Sequence, residues 1–150
     1  MKDTALRLLD EHIDVMHQVK ALTPKIAQAA QMMLASLNKG GKIFWMGNGG
    51  SAADSQHLAA ELIGRFKIER RAIPSIALTT DSSILTCLSN DYDYSIIFSR
   101  QLEALCGEND IVIGITTSGN SRNVLEGIKT AKQKGAYTIG LSGHLGGELA

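Results

Sequence analysis

The sequence predicts a three-layer α/β/α sandwich with a central parallel sheet, preceded by two helices. Three observations carry this. Short runs at 42–47, 74–78, 110–115 and 136–141 are apolar almost throughout and alternate with longer segments of helical periodicity. Strands apolar on both faces are covered on both faces, which implies a parallel sheet between helices. Two of these runs end in loops rich in glycine or hydroxyl residues, each opening a helix, and ligands of open α/β sheets bind at the carboxyl ends of strands.

The first helix is read over 4–22, where Leu6, Leu9, Ile13 and Met16 recur every three or four residues. Thr23-Pro24 reads as an N-cap followed by proline at the first helical position. A second helix then runs to about Asn38 with Ile26, Ala30, Met33 and Leu37 on one face, and Gly40-Gly41 ends it. The stripes leave open whether these helices pack on each other, on the domain or on another subunit. Strand 42–47 stops at Gly47-Asn48-Gly49-Gly50-Ser51, and Ser51 opens a helix expected over 51–66. A strand at 74–78 follows, then helices at 82–89 and 95–105 around the turn-rich Asn90-Asp91-Tyr92-Asp93. Strand 110–115, the loop Thr116 to Asn120, a helix over 121–134 and strand 136–141 complete the alternation. Beyond it, Ser142 to Gly147 is a turn that opens into what reads as a helix at Glu148-Leu149-Ala150. A last strand with little cover is expected there, so the reading is of a piece of a longer protein.

Composition narrows the function classes. The 150 residues suit one domain with its own core, and 44% hydrophobic with 20% charged residues is globular. Fifteen basic residues match fifteen acidic ones, so no net field selects nucleic acid or an acidic membrane, and an anion site must be local. No apolar run approaches the roughly 18 residues that cross a bilayer. The N-terminal segment is amphipathic and charged, without the apolar stretch of a signal peptide. Cys87 and Cys106 form no metal or redox motif and read as free core thiols in a reducing cytoplasm.

Thr116-Thr117-Ser118-Gly119-Asn120-Ser121 puts four hydroxyl residues and a glycine at a helix N-terminus. Hydroxyls and free N–H groups both donate to phosphate oxygens, and the helix dipole favours the anion. The loop lacks the Gly-Lys-Ser/Thr of a nucleotide P-loop. Its plain alternative is a serine-rich cap. Two such loops on adjacent strands favour the phosphate cradle, so the glycine loop is assigned instead to close passage of the ligand along the main chain.

On helix 51–66, Asp54, His57, Glu61 and Arg65 share a polar stripe, beside an apolar face of Leu58, Leu62, Ile63 and Phe66. The stripe reads either as a solvated helix face or as a His–Glu pair fit for a general base or two metal ligands. Gly47 to Ala52 also fits a dinucleotide GxGxxA. That reading would need an acid after the second strand, where only Asp81 stands, and it leaves the hydroxyl loop unexplained. Asn90 and Asp91 fit turn chemistry as well as a substrate contact. His12, His17 and His144 read as solvated, and Trp45 as packing.

Gly-Asn-Gly-Gly-Ser at 47–51, His57-Leu-Ala-Ala-Glu61-Leu-Ile-Gly-Arg65, Ser89-Asn90-Asp91 and Thr117-Ser118-Gly119-Asn120-Ser121 together resemble the sugar isomerase (SIS) domain family. Within it they are most similar to the bacterial phosphoheptose isomerases. The resemblance covers almost the whole chain and implies a flavodoxin-like SIS fold: one domain, with helices over 1–39 and an α/β core over 40–150 whose C-terminal strand and helix are missing. It implies conversion of sedoheptulose 7-phosphate to D-glycero-D-manno-heptose 7-phosphate for surface polysaccharide. Thr116, Thr117, Ser118 and Ser121 would hold the phosphate. Asn48, Gly49, Gly50 and Ser51, with Asn90, Asp91 and Arg65, would hold the rest of the substrate. Glu61 would be the catalytic base with His57 beside it, and His57 and Glu61 would ligate zinc. The family's further Gln and His have no match here, which predicts an inactive fragment. The resemblance also implies a cytoplasmic homotetramer with active sites between subunits. Two non-catalytic relatives are the alternatives: a protein binding the replication initiator DnaA, which lacks the glutamate at the position of Glu61 and has Arg at that of Ser118, and a sugar-phosphate-sensing regulator.

Overall fold

The computed structural model describes residues 1–143 and 145–150, so the expectation for His144 lies outside the described residues. It divides into two compact units, Met1–Met32 and Met33–Ala150. The first holds α1 (Lys2–Val19), a 3-10 turn (Lys20–Leu22) and the start of α2 (Thr23–Asn38). No residue of α1 is buried. The expected helix break at Thr23 does not occur. Thr23 has helical dihedrals, and its hydroxyl donates back to the Lys20 carbonyl at 2.7 Å instead of accepting from the N–H groups ahead. Pro24 fits because a proline near a helix start forfeits no needed donor.

The second unit is a four-stranded parallel sheet in the order β2-β1-β3-β4, formed by β1 (Ile43–Gly47), β2 (Ser75–Ala77), β3 (Ile111–Thr116) and β4 (Tyr137–Ser142). β1 is buried at every position. Its side chains alternate between the two faces. Phe44 and Met46 join Val112, Val124, Ile128 and Leu102 in one core beneath α5 (Ser99–Leu105) and α6 (Arg122–Gln133). On the other side α3 (Gly50–Ile63) packs against β1 and β2. Its buried residues are the small Ser55 and Ala59, which bring the helix close to the strand. Ile63 and Phe66, expected on the apolar face, are exposed, and Leu58 and Leu62 are half-buried. The helix ends at Ile63, so Arg65 and Phe66 lie beyond it, and Phe66 takes a φ of 52°.

Two further boundaries differ from expectation. Asn90 and Asp91 close the last turn of α4 (Ser82–Asp91), whose N-cap is Asp81 accepting from the Ile84 N–H at 2.9 Å. Asp81 therefore serves the helix and not a ribose. The expected helix 95–105 is a 3-10 turn at Tyr94–Ile96 followed by α5, because Asp93 caps the turn through the Ser95 N–H.

At the amino ends of β1 and β3, the buried Asp110 accepts from the Lys42 backbone N–H, the Lys42 ammonium and the Gly107 N–H at 2.8–2.9 Å. This ion pair ties the sheet at the end away from the loops. After β4 the chain turns back over the hydroxyl loop. Gly143 N–H donates to Thr117 O, Leu149 N–H to Gly119 O, and Glu148 N–H to the Asn120 side-chain oxygen. In place of the expected helix, Gly147–Leu149 is one 3-10 turn.

Candidate active site

The strand order reverses between β1 and β3, since β1 leads through α3 to β2 on one side and β3 through α6 to β4 on the other. That reversal opens a crevice at the strands' carboxyl ends. Gly47–Ser51 and Thr116–Ser121 lie on its two lips.

On the β1 lip, Gly49 has φ 56°, which glycine adopts without strain. The Ser51 N–H donates to Asn48 O and the Ala52 N–H to Gly49 O, so part of the first turn of α3 is already satisfied by the loop. A β-carbon at Gly49 or Gly50 would meet nothing within 4 Å, so the main chain is open to a ligand there. On the β3 lip the buried Thr116 hydroxyl lies 2.8 Å from Ser121 Oγ and 3.4 Å from Ser118 Oγ. Ser118 Oγ accepts from the Asn120 N–H, and Thr117 is exposed. Among the described residues, no acceptor faces the N–H groups of Ser121, Arg122 or Asn123 at the start of α6. Clustered hydroxyls with free helix N-terminal donors suit a phosphate. Gly119 has φ 71°, and any β-carbon there would lie 1.7 Å from Gly146 O.

The lips are joined by a pair of carboxamides. Asn48 Nδ2 donates to Asn123 Oδ1 and Asn123 Nδ2 to Asn48 Oδ1, both at 2.8 Å. Asn48 Oδ1 also accepts from the Tyr94 hydroxyl at 3.0 Å, and Asn123 Oδ1 from the Val124 N–H at 3.0 Å. Asn48, Tyr94, Ser121 and Asn123 line a cleft of about 340 Å³.

His57 and Glu61 sit one turn apart on α3, with Nε2 and Oε1 3.4 Å apart. They line a separate cavity of about 620 Å³ with Trp45, Arg65, Phe66 and Arg70. Arg65 reaches Glu69 at 3.9 Å on the surface. Arg70 holds the end of α3: its guanidinium donates to the carbonyls of Glu61, Leu62 and Gly64, and to that of Arg71. Asn90 and Asp91 are exposed and bond to each other at 2.8 Å, and among the described residues no hydrogen bond ties them to either lip.

Asn48, Thr116, Ser118 and Ser121 are thus brought together across the crevice, whereas His57 and Glu61 line the separate cavity along α3. Sequence reasoning missed Asn123, Tyr94 and Arg70. A second amide two residues into the helix after the hydroxyl loop was the available signal for Asn123. Nothing local marked the other two, whose partners lie on distant elements or on carbonyls.

A switch-point crevice whose one lip gathers hydroxyls at a helix N-terminus is the geometry of a ligand-binding doubly wound α/β domain. The SIS domain family matches residues 8–143, and the chain belongs to it. It is 51% identical to a phosphoheptose isomerase of Geobacter metallireducens over 150 residues, 99% of this chain and 79% of that one. A phosphoheptose isomerase of Aquifex aeolicus is 55% identical over 132 residues, 88% of this chain and 69% of that one. Among solved structures, phosphoheptose isomerase GmhA from Neisseria gonorrhoeae superposes with a TM-score of 0.90 at 40% identity, covering 99% of this chain and 77% of that one. A phosphoheptose isomerase from Francisella tularensis superposes with a TM-score of 0.87 at 39% identity, covering 97% and 78%.

Proposed function

We propose that the chain is a ketose–aldose isomerase converting sedoheptulose 7-phosphate to D-glycero-D-manno-heptose 7-phosphate. The carrying observation is the His57–Glu61 pair on the helix launched from one lip, with the hydroxyl cradle on the other. Relatives named phosphoheptose isomerase at 51–57% identity point the same way. Thr116, Thr117, Ser118, Ser121 and the first N–H groups of α6 take the phosphate. Asn48, Gly49, Gly50 and Ser51 line the path of the sugar chain, and Arg65, Asn90 and Asp91 are assigned to the substrate by the family resemblance alone.

Isomerisation moves a proton between C1 and C2 through an enediol, which needs a base and a means of polarising the carbonyl. Glu61 is the base, and phosphate capture fixes the reacting end against it. His57 and Glu61 fit two corners of a zinc site, since ligands at about 2.0–2.2 Å from a tetrahedral zinc lie about 3.3–3.6 Å apart. Such an ion would act as the Lewis acid on the carbonyl oxygen. Among the described residues no group of three metal-binding side chains is present, so His57 and Glu61 would be the chain's contribution to such a site.

A homotetramer with sites between subunits fits the unburied apolar stripe of α1, and a cytoplasmic location fits this substrate. Among the described residues no helix is long and apolar enough to cross a membrane. Of the non-catalytic alternatives, both are disfavoured by Glu61 and the DnaA-binding one also by Ser118. The test is turnover of sedoheptulose 7-phosphate by the zinc-loaded full-length protein, together with Glu61→Gln. The expected loss is about 10²–10⁴-fold in kcat with the fold retained. Full activity of Glu61→Gln would remove Glu61 from the mechanism, and DnaA capture without turnover would favour the binding protein.

A further inference from the structure

Asn123 and Tyr94, which hold the half-buried Asn48 at the crevice, have no place in the roles above. The orientation of the two carboxamides is fixed by a group that cannot reverse. A backbone N–H only donates, so the Val124 N–H 3.0 Å from the Asn123 side chain must face its oxygen. Asn123 Nδ2 then points at Asn48, and the Asn48 atom receiving it must be Oδ1. The remaining pair, Asn48 Nδ2 to Asn123 Oδ1, follows. Tyr94, 3.0 Å from an oxygen that only accepts, must donate its hydroxyl proton.

Both acceptor positions of Asn48 Oδ1 are thereby occupied, by Asn123 and Tyr94. One of its two Nδ2 protons is held by Asn123. A single N–H remains, on a half-buried side chain in the cleft shared with Ser121. We infer that Asn123 and Tyr94 are positioning residues that lock Asn48 as a hydrogen-bond donor, so that the β1 lip presents an N–H to a hydroxyl oxygen of the sugar away from the reacting carbons. This rests on the sugar-phosphate reading of the site. Asn123 is 3% exposed, so it acts through Asn48 and is not a catalytic residue. The lock spans both lips and all three elements around the cleft: the β1 loop, the α6 start and the Tyr94–Ile96 turn.

The consequence for specificity is definite. An unlocked asparagine turns over freely and offers oxygen or nitrogen alike. A locked one discriminates for ligand acceptors, and only for the part of the ligand beyond the phosphate.

The test uses Tyr94→Phe, which removes one hydroxyl, and Asn123→Asp, which keeps the acceptor for the Val124 N–H but loses the donor to Asn48. Steady-state kinetics on the zinc-loaded full-length protein with sedoheptulose 7-phosphate should show KM raised about 3–10-fold in each variant, the range of one net hydrogen bond. The kcat should stay within about twofold, because a contact away from the reacting carbons contributes equally to ground and transition states. The inhibition constant of inorganic phosphate should not change. A merely structural role would lower the folded fraction, and therefore kcat, at constant KM. That outcome, an unchanged KM, or a parallel loss for inorganic phosphate would overturn the proposal. Should the full-length wild-type protein not turn over the sugar phosphate, the functional reading falls, and the lock is decided separately by the carboxamide NMR signals of Asn48. One slowly exchanging proton beside one fast-exchanging proton, with protection lost in Asn123→Asp, supports the lock. Equal fast exchange of both in wild type refutes it.

Discussion

At the scale of single residues, burial separates two thiols that the sequence treats alike. The expected core placement holds for Cys106 but not for Cys87, which is exposed, and burial, with the nearby Asp110 charge, pushes the Cys106 thiol from 9.0 up to about 11. A thiolate reagent at neutral pH should therefore label Cys87 at once and Cys106 only on unfolding, which mass spectrometry of the labelled peptides would read. Because the folded value lies above the unfolded one, the neutral thiol's contribution to stability is whole below about pH 9. It is lost as pH rises towards 11. Alanine at Cys106 should flatten that alkaline loss in denaturation curves. Gly119 is the second case. A β-carbon there would meet Gly146 O at 1.7 Å on a backbone with φ 71°, so Gly119→Ala must displace the loop. We expect a loss of about 2 kcal/mol or more in chemical denaturation, with weaker binding of inorganic phosphate by calorimetry.

At the scale of elements, α3 has no glycine C-cap in a left-handed conformation. Gly64 has φ −70°, and Arg70 does the capping by gathering three of the helix's last carbonyls. Hydrogen bonds to a charged donor are worth about 1.5–3 kcal/mol. Arg70→Ala should lower Tm by about 2–4 °C per kcal/mol in a chain of this size, and it should fray the turn that carries Glu61, lowering kcat. Arg70→Lys should recover only part, since one ammonium cannot span those carbonyls. Elements were legible in the sequence where periodicity and punctuation agreed. β1, β3 and α6 fall within two residues of expectation because apolar runs end at glycine or serine loops. The miss at Thr23-Pro24 arose because a threonine hydroxyl bonds equally well to a preceding carbonyl. The expected apolar face of α3 failed because packing against β1 selected the smallest side chains, Ser55 and Ala59, over the largest. In the site, His57, Glu61 and the hydroxyl loop were readable as local motifs. Asn123 and Tyr94 were not, because their meaning lies in contacts 75 and 46 residues away from themselves in sequence.

At the scale of the whole molecule, chemistry and stability lie at opposite ends of the sheet. The Lys42–Asp110 pair ties the amino ends of β1 and β3, and the crevice occupies the carboxyl ends. Removing Asp110 leaves Lys42 and the Gly107 N–H without their partner. Asp110→Ala is expected to cost about 3–5 kcal/mol, seen as an earlier urea midpoint, while KM for the remaining folded enzyme holds. The turn that folds back over the hydroxyl loop has a different consequence. Because Glu148 and Leu149 donate to Asn120 and Gly119, their amides open to solvent when this turn and the hydroxyl loop part. Occupancy of the cradle and closure of that turn are then one linked equilibrium, each raising the other by the same factor. Inorganic phosphate at saturating concentration should slow deuterium uptake at Glu148 and Leu149, a reporter of ligand binding on residues that do not touch the ligand.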